Sequence, residues 1–142
     1  MIRTQRQYAI TNARVEEMER GLREYKLRGG RDLEPGMRQL TIDSMRALCD
    51  EWREDLAAYD ALRNEGGRRE FALHALEELP DALVQARIAA GLTQRQLAER
   101  LGLKPQQIQR YEATSYRGVA WDTAARIAQA LGLRLEGTLR LG

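Results

Sequence analysis

Apolar residues recur at three-and-four spacing through two long stretches in the first half of the chain. Val15, Met18, Leu22 and Tyr25 form one stripe, which predicts a helix from a cap at Thr11 or Asn12 to about Leu27. Met45, Leu48, Trp52, Leu56, Tyr59 and Leu62 form the second, which predicts a helix from about Met37 to Asn64. Gly29-Gly30 ends the first helix and Arg31 to Gly36 reads as a linker, so the pair is expected to fold back as an αα-hairpin. Residues 1 to 9 are polar and read as extended or loosely ordered. The predicted helices differ in length, about 17 against about 28 residues, which leaves roughly 16 Å of the longer one uncovered at 1.5 Å per residue. The Trp52 to Tyr59 end therefore needs cover from the C-terminal half, a second copy or another protein. Packing within the chain is the ordinary fate of such a stripe. Trp52, Leu56 and Tyr59 are also large groups of the kind that anchor a partner, which makes them the candidate partner-binding residues.

The second half has shorter periods and more punctuation. A short helix is expected over Glu70 to Glu78, with Phe71 and Leu76 available for packing and His74 at the surface. Leu79-Pro80 breaks it, and Pro80 opens a helix over Asp81 to Ala90 that Gly91 ends. A later helix, Trp121 to Leu131, turns Ala124, Ile127, Ala128 and Leu131 inward and stops at Gly132. From Leu133 to Leu141 the chain alternates apolar and polar, as a strand does. A lone strand cannot satisfy its ladder bonds. The same tail of a two-fold-related subunit is the nearest partner, so Leu135, Leu139 and Leu141 are the candidate dimer-strand residues.

Between these lies the most informative stretch, Leu92 to Glu112. Thr93 can cap a helix beginning at Gln94, with Leu97 and Leu101 on its inner face and Ala98 small enough for a second helix to cross closely. Gly102 falls where the chain must leave that helix, with a positive φ expected. Lys104-Pro105 restarts it, because Pro tolerates the first helical position. Leu103 and Ile108 then face inward, while Gln106, Gln107, Gln109 and Arg110 face outward. This register is that of a helix-turn-helix, which holds one helix in the major groove of double-stranded DNA. Amides and guanidinium groups on an exposed face make bidentate bonds to adenine and guanine edges.

Composition narrows the function classes. The chain has 142 residues, 43% of them hydrophobic, enough for one domain or two small ones. No apolar run approaches the length of a membrane span, and the N-terminus lacks a signal-like apolar core, so a cytoplasmic location without membrane association is expected. One cysteine, Cys49, and one histidine, His74, leave no disulfide, no multi-cysteine metal site and no constellation for an enzyme, so no catalytic residue, metal or cofactor is expected. Net charge is +2 overall, but residues 87–118 carry six basic residues against Glu99 and Glu112. A local basic surface on a nearly neutral chain suits phosphate contact.

Residues 80–132 resemble the DNA-binding domain of the Xre and lambdoid-repressor family. The likeness rests on Leu92-Thr-Gln94, Leu97-Ala-Glu-Arg-Leu-Gly102, Ile108, Tyr111-Glu112 and Ile127-Ala-Gln-Ala-Leu-Gly132. It implies a compact bundle of four or five helices that reads bases through Gln106 and Arg110, with Gln109 and Lys104 at the edges. It also implies phosphate contacts from Gln94, with Arg95, Gln107 and Arg117 as further candidates, and an internal ion pair between Arg87 and Glu112. Two departures stand out. Pro105 has no donor to offer a base, and Ala113-Thr-Ser-Tyr116 replaces the usual Asn/Glu-Gly after the recognition helix. The wording Ile108-Gln-Arg-Tyr-Glu-Ala-Thr114, behind a polar helical N-terminal half, looks like HigA-type antitoxins, which neutralise a toxin and repress their own operon.

The resulting expectation is a mainly α protein. A helical hairpin at residues 1–66 would serve interaction, and residues 67–142 would hold the DNA-binding domain and a short C-terminal β-strand. Function is expected to be sequence-specific repression by a homodimer on operator DNA, as the antitoxin of a toxin-antitoxin pair with the toxin held by residues 1–66. The alternative is a stand-alone regulator whose N-terminal segment dimerises or senses a ligand.

Overall fold

The computed structural model describes residues 1–64 and 70–138, and the chain divides into two compact units, Met1–Ala61 and Leu62–Gly142.

The first unit is a hairpin of α1, Gln5–Arg28, and α2, Pro35–Arg63. Thr4 caps α1, its hydroxyl accepting from Gln7 N–H at 3.2 Å, while the Gln7 side chain accepts from Arg3 N–H at 2.8 Å. The helix thus begins where the sequence reading expected extended or loosely ordered chain, because the Thr4 hydroxyl satisfies a first-turn donor that would otherwise stay open. At its other end Arg38 donates to the carbonyls of Lys26 (2.6 Å) and Gly29 (3.1 Å), closing the hairpin turn.

Two seams on a seven-residue repeat face each other. On α1 the half-buried or buried positions include Tyr8, Thr11, Val15, Met18, Leu22 and Tyr25; on α2 they include Ile42, Met45, Cys49, Trp52, Leu56 and Tyr59. Alternating steps of three and four keep one stripe of each helix on its partner. The α2 stripe is therefore shifted from the expected one, with Ile42 and Cys49 inside and Leu48 37% exposed. Because α1 starts early, its first turns cover the end of α2 that the sequence reading left bare. The Tyr8 and Tyr59 rings lie 5.3 Å apart, the Tyr8 hydroxyl donates to Asp60 at 2.9 Å, and the N-terminal ammonium reaches Asp55 at 3.3 Å. Arg53 bridges Glu19 and Asp50 along one edge.

Among the described residues the second unit contains four α-helices: α3, Leu79–Ala89; α4, Gln94–Leu101; α5, Pro105–Ala113; and α6, Trp121–Ala130. Leu83, Val84, Ile88, Leu97, Ala98, Ile108 and Ile127 form its core. All four helices end the same way. The residue after the last turn takes a positive φ, and the following N–H reaches back five residues: Leu92 to Arg87, Leu103 to Ala98, Tyr116 to Tyr111 and Leu133 to Ala128. Glycine supplies the left-handed position three times, at Gly91, Gly102 and Gly132; after α5 it is Ser115, at φ 49°. An L-residue pays sterically there, since Cβ crowds its own backbone.

Two expectations for this unit fail. The helix foreseen over Glu70 to Glu78 is present only as a single 3-10 turn, Leu76–Glu78. A helix that short does not repay its nucleation without a buried face, and Leu76 is exposed. Nor is there a strand among the described residues. Residues 133–138 have no ladder partner and Leu135 is 61% exposed; Leu139 and Leu141 lie outside the described residues.

Candidate nucleic-acid interface

The interface is assembled by α4, the turn at Gly102 and α5. Thr93 and Gln96 cap α4 reciprocally: Gln96 N–H donates to the Thr93 hydroxyl at 3.1 Å, and Thr93 N–H donates to the Gln96 carbonyl oxygen at 2.8 Å. Leu97 and Ala98 are fully buried, which seats α4 beneath α5. Gly102, at φ 67°, redirects the chain. Pro105 starts α5, and the Gln107 side chain folds back to accept from Lys104 N–H at 2.9 Å.

On α5 the division between faces is complete. Ile108 and Glu112 are buried, whereas Gln106, Gln109 and Arg110 are exposed, with Lys104 exposed at the cap. The Arg110 guanidinium lies 5.7 Å from the centre of the Tyr111 ring. All four residues expected to read bases therefore lie on one short stretch at the surface. Arg117 is also exposed, in the loop that follows Tyr116.

Beneath this face Glu112 gathers three donors. Arg87 Nε and Nη2 donate to its two oxygens at 2.5 and 2.8 Å, and Gln94 Nε2 donates to Oε2 at 2.7 Å. The Arg87 and Glu112 side chains are 3% and 0% exposed. Arg87 Nη1 also donates to the Leu92 carbonyl at 2.8 Å, at the end of α3. One carboxylate thus ties α3, α4 and α5 together. The fixed fork of a guanidinium suits this task, since it can meet both carboxylate oxygens and still offer a donor elsewhere.

These contacts redistribute the expected phosphate-binding residues. Gln94 is half-buried and has one amide hydrogen committed to Glu112. The Gln107 oxygen is held by the α5 cap. Arg95 is exposed and pairs with Glu99 at 2.9 Å in a solvated i,i+4 bridge, which leaves its terminal nitrogens available. Sequence reasoning overlooked Arg126, whose Nη2 donates to the Leu101 carbonyl at 3.2 Å and finishes α4. Of the partner-binding candidates, Leu56 and Tyr59 are buried in the hairpin, so a partner would have to open it to reach them; Trp52 stays half-exposed.

Residues 83–137 match the helix-turn-helix family. The matched stretch takes in α4, the turn at Gly102 and α5. The match supports a DNA-binding transcriptional regulator. No curated protein and no solved structure matches the chain. Among the described residues there is no group of three or more His, Cys, Asp or Glu able to hold a metal ion, and no helix long and apolar enough to cross a membrane.

Proposed function

We propose that the chain is a sequence-specific transcriptional repressor whose helix-turn-helix domain docks α5 in the major groove of operator DNA, two copies reading two half-sites. The observation that carries this reading is the exposed row Gln106, Gln109 and Arg110 above a face closed by Ile108 and Glu112. Each outward group offers donors that match purine edges in the groove. One short helix reads only a few base pairs, so paired half-sites about 34 Å apart supply the remaining specificity. Gel shifts with the full chain on DNA from its own promoter test the proposal. Binding should survive competition by unrelated duplex and weaken with Arg110→Ala.

A second reading makes the chain the antitoxin of a toxin-antitoxin pair. Its support is the segment Ile108 to Thr114, together with a separate two-helix unit that carries no base-reading device. Co-expression with the adjoining gene tests it: the chain should rescue cells from that product. A harmless neighbour leaves the plain repressor.

A further inference from the structure

We propose that one side of the α1–α2 hairpin is a docking surface for a second copy of this chain, giving a four-helix dimer. The surface is an open groove of about 430 Å³ lined by Arg14, Glu17, Met18, Gly21 and Trp52.

Gly21 is the first sign that something covers it. Glycine inside a helix is unfavourable relative to alanine, yet nothing within the hairpin requires it: a Cβ there would meet only the Met45 methyl at 3.8 Å, an ordinary contact. The missing side chain instead leaves a notch in the outer wall, beside the half-exposed Trp52. An exposed knob and an empty notch on one helix, Ile10 and Gly21 of α1, are what a self-complementary, two-fold interface needs, because each copy then supplies both halves of the fit.

The charges point the same way. Arg14 and Glu17, one turn apart on the rim, form no ion pair with each other or with any other described residue. When two α1 helices cross antiparallel on a dyad, Arg14 of each copy comes opposite Glu17 of the other, so both pairs form at once. A foreign partner would need a matching pattern of its own; a second copy has it by symmetry. Ile10, 45% exposed one turn before Arg14, and Leu48, one turn before Trp52, extend the apolar surface along both helices. Size is sufficient as well. A hairpin face roughly 36 Å long and 20 Å wide buries about 1,400 Å² over two copies, within the range of stable protein interfaces. None of this depends on what the helix-turn-helix domain binds.

Sedimentation equilibrium of the full chain tests the proposal, with circular dichroism to confirm that each variant keeps its helices. The wild type should be a dimer. Arg14→Glu and Glu17→Arg, both at exposed positions, should each raise the dimer dissociation constant roughly tenfold or more by setting like charges across the dyad. The two variants mixed, and the double reversal Arg14→Glu/Glu17→Arg, should recover the dimer. Gly21→Gln should fill the notch and weaken association with helicity unchanged. A wild type that stays monomeric at high micromolar concentration overturns the proposal, as does a dimer indifferent to both charge reversals. A monomer that captures the neighbouring gene product through Trp52 overturns it in favour of a foreign partner.

Discussion

Arg87 and Glu112, 25 residues apart in sequence, meet in a doubly hydrogen-bonded ion pair that is closed to solvent and shared with Gln94. Burying such a pair is costly, but breaking it is costlier, because the survivor keeps a buried charge without its partner. Glu112→Ala or Arg87→Ala should therefore destabilise the domain by about 3–5 kcal/mol, a large part of the stability of a small domain. Urea unfolding followed by circular dichroism measures this. A loss below about 1 kcal/mol would contradict the buried geometry.

On the proposed reading, base contacts by α5 carry a different signature. Arg110→Ala and Gln106→Ala should each lose about 1–3 kcal/mol of specific operator binding and leave the melting temperature nearly unchanged, since both side chains are exposed. Titrations against matched and mismatched duplexes separate the effect from general weakening. Specificity that survives the double variant would remove α5 from the groove.

Arg117 should behave as a phosphate contact. Replacing it with Ala should weaken binding to every sequence alike and flatten the slope of log affinity against log salt by about one. Gln94→Ala should instead register in stability as well as in binding, because the amide also serves the buried carboxylate. Equal salt slopes for wild type and Arg117→Ala would place Arg117 outside the interface.

Ser115 occupies a position that its neighbours at the other three helix ends give to glycine. Ser115→Gly should relieve the left-handed strain and stabilise the domain by up to about 1 kcal/mol, the Tyr116 to Tyr111 bond being kept. Thermal melts at matched protein concentration decide it. An unchanged or lower melting point would mean that the serine hydroxyl compensates for the strain.

Much of the helix-turn-helix domain was legible because its punctuation is explicit: Thr93, Gly102, Pro105 and Gly132 each have one strong local reason to stand where they do. The outward face of α5 followed from the same register. The fourth helix exit was obscured because Ser115 carries no glycine signature. The start of α1 was missed although Thr4-Gln-Arg-Gln7 repeats Thr93-Gln-Arg-Gln96 residue for residue; polar Thr11 stands on the seam where an apolar residue would have carried the stripe back to Tyr8. On α2 the greater hydrophobicity of Leu48 hid Cys49, whose place in the seven-residue repeat decides which of the two is inside. The role of Gln94 was not legible at all. It depends on a carboxylate 18 residues away, and only the folded chain brings the two together.

Glu112 lies only two residues beyond Arg110 on the same helix, so the carboxylate that unites α3, α4 and α5 also fixes where the exposed face of α5 points. Its orientation is settled when the domain folds, before any DNA is met. On the proposed reading, association with DNA would then require little loss of internal freedom from the protein, and contacts made by α5 would appear as affinity instead of being offset by ordering. On the proposed reading the same arrangement makes recognition brittle: a change that loosens this carboxylate would disturb the aim of α5 and the stability of the domain together.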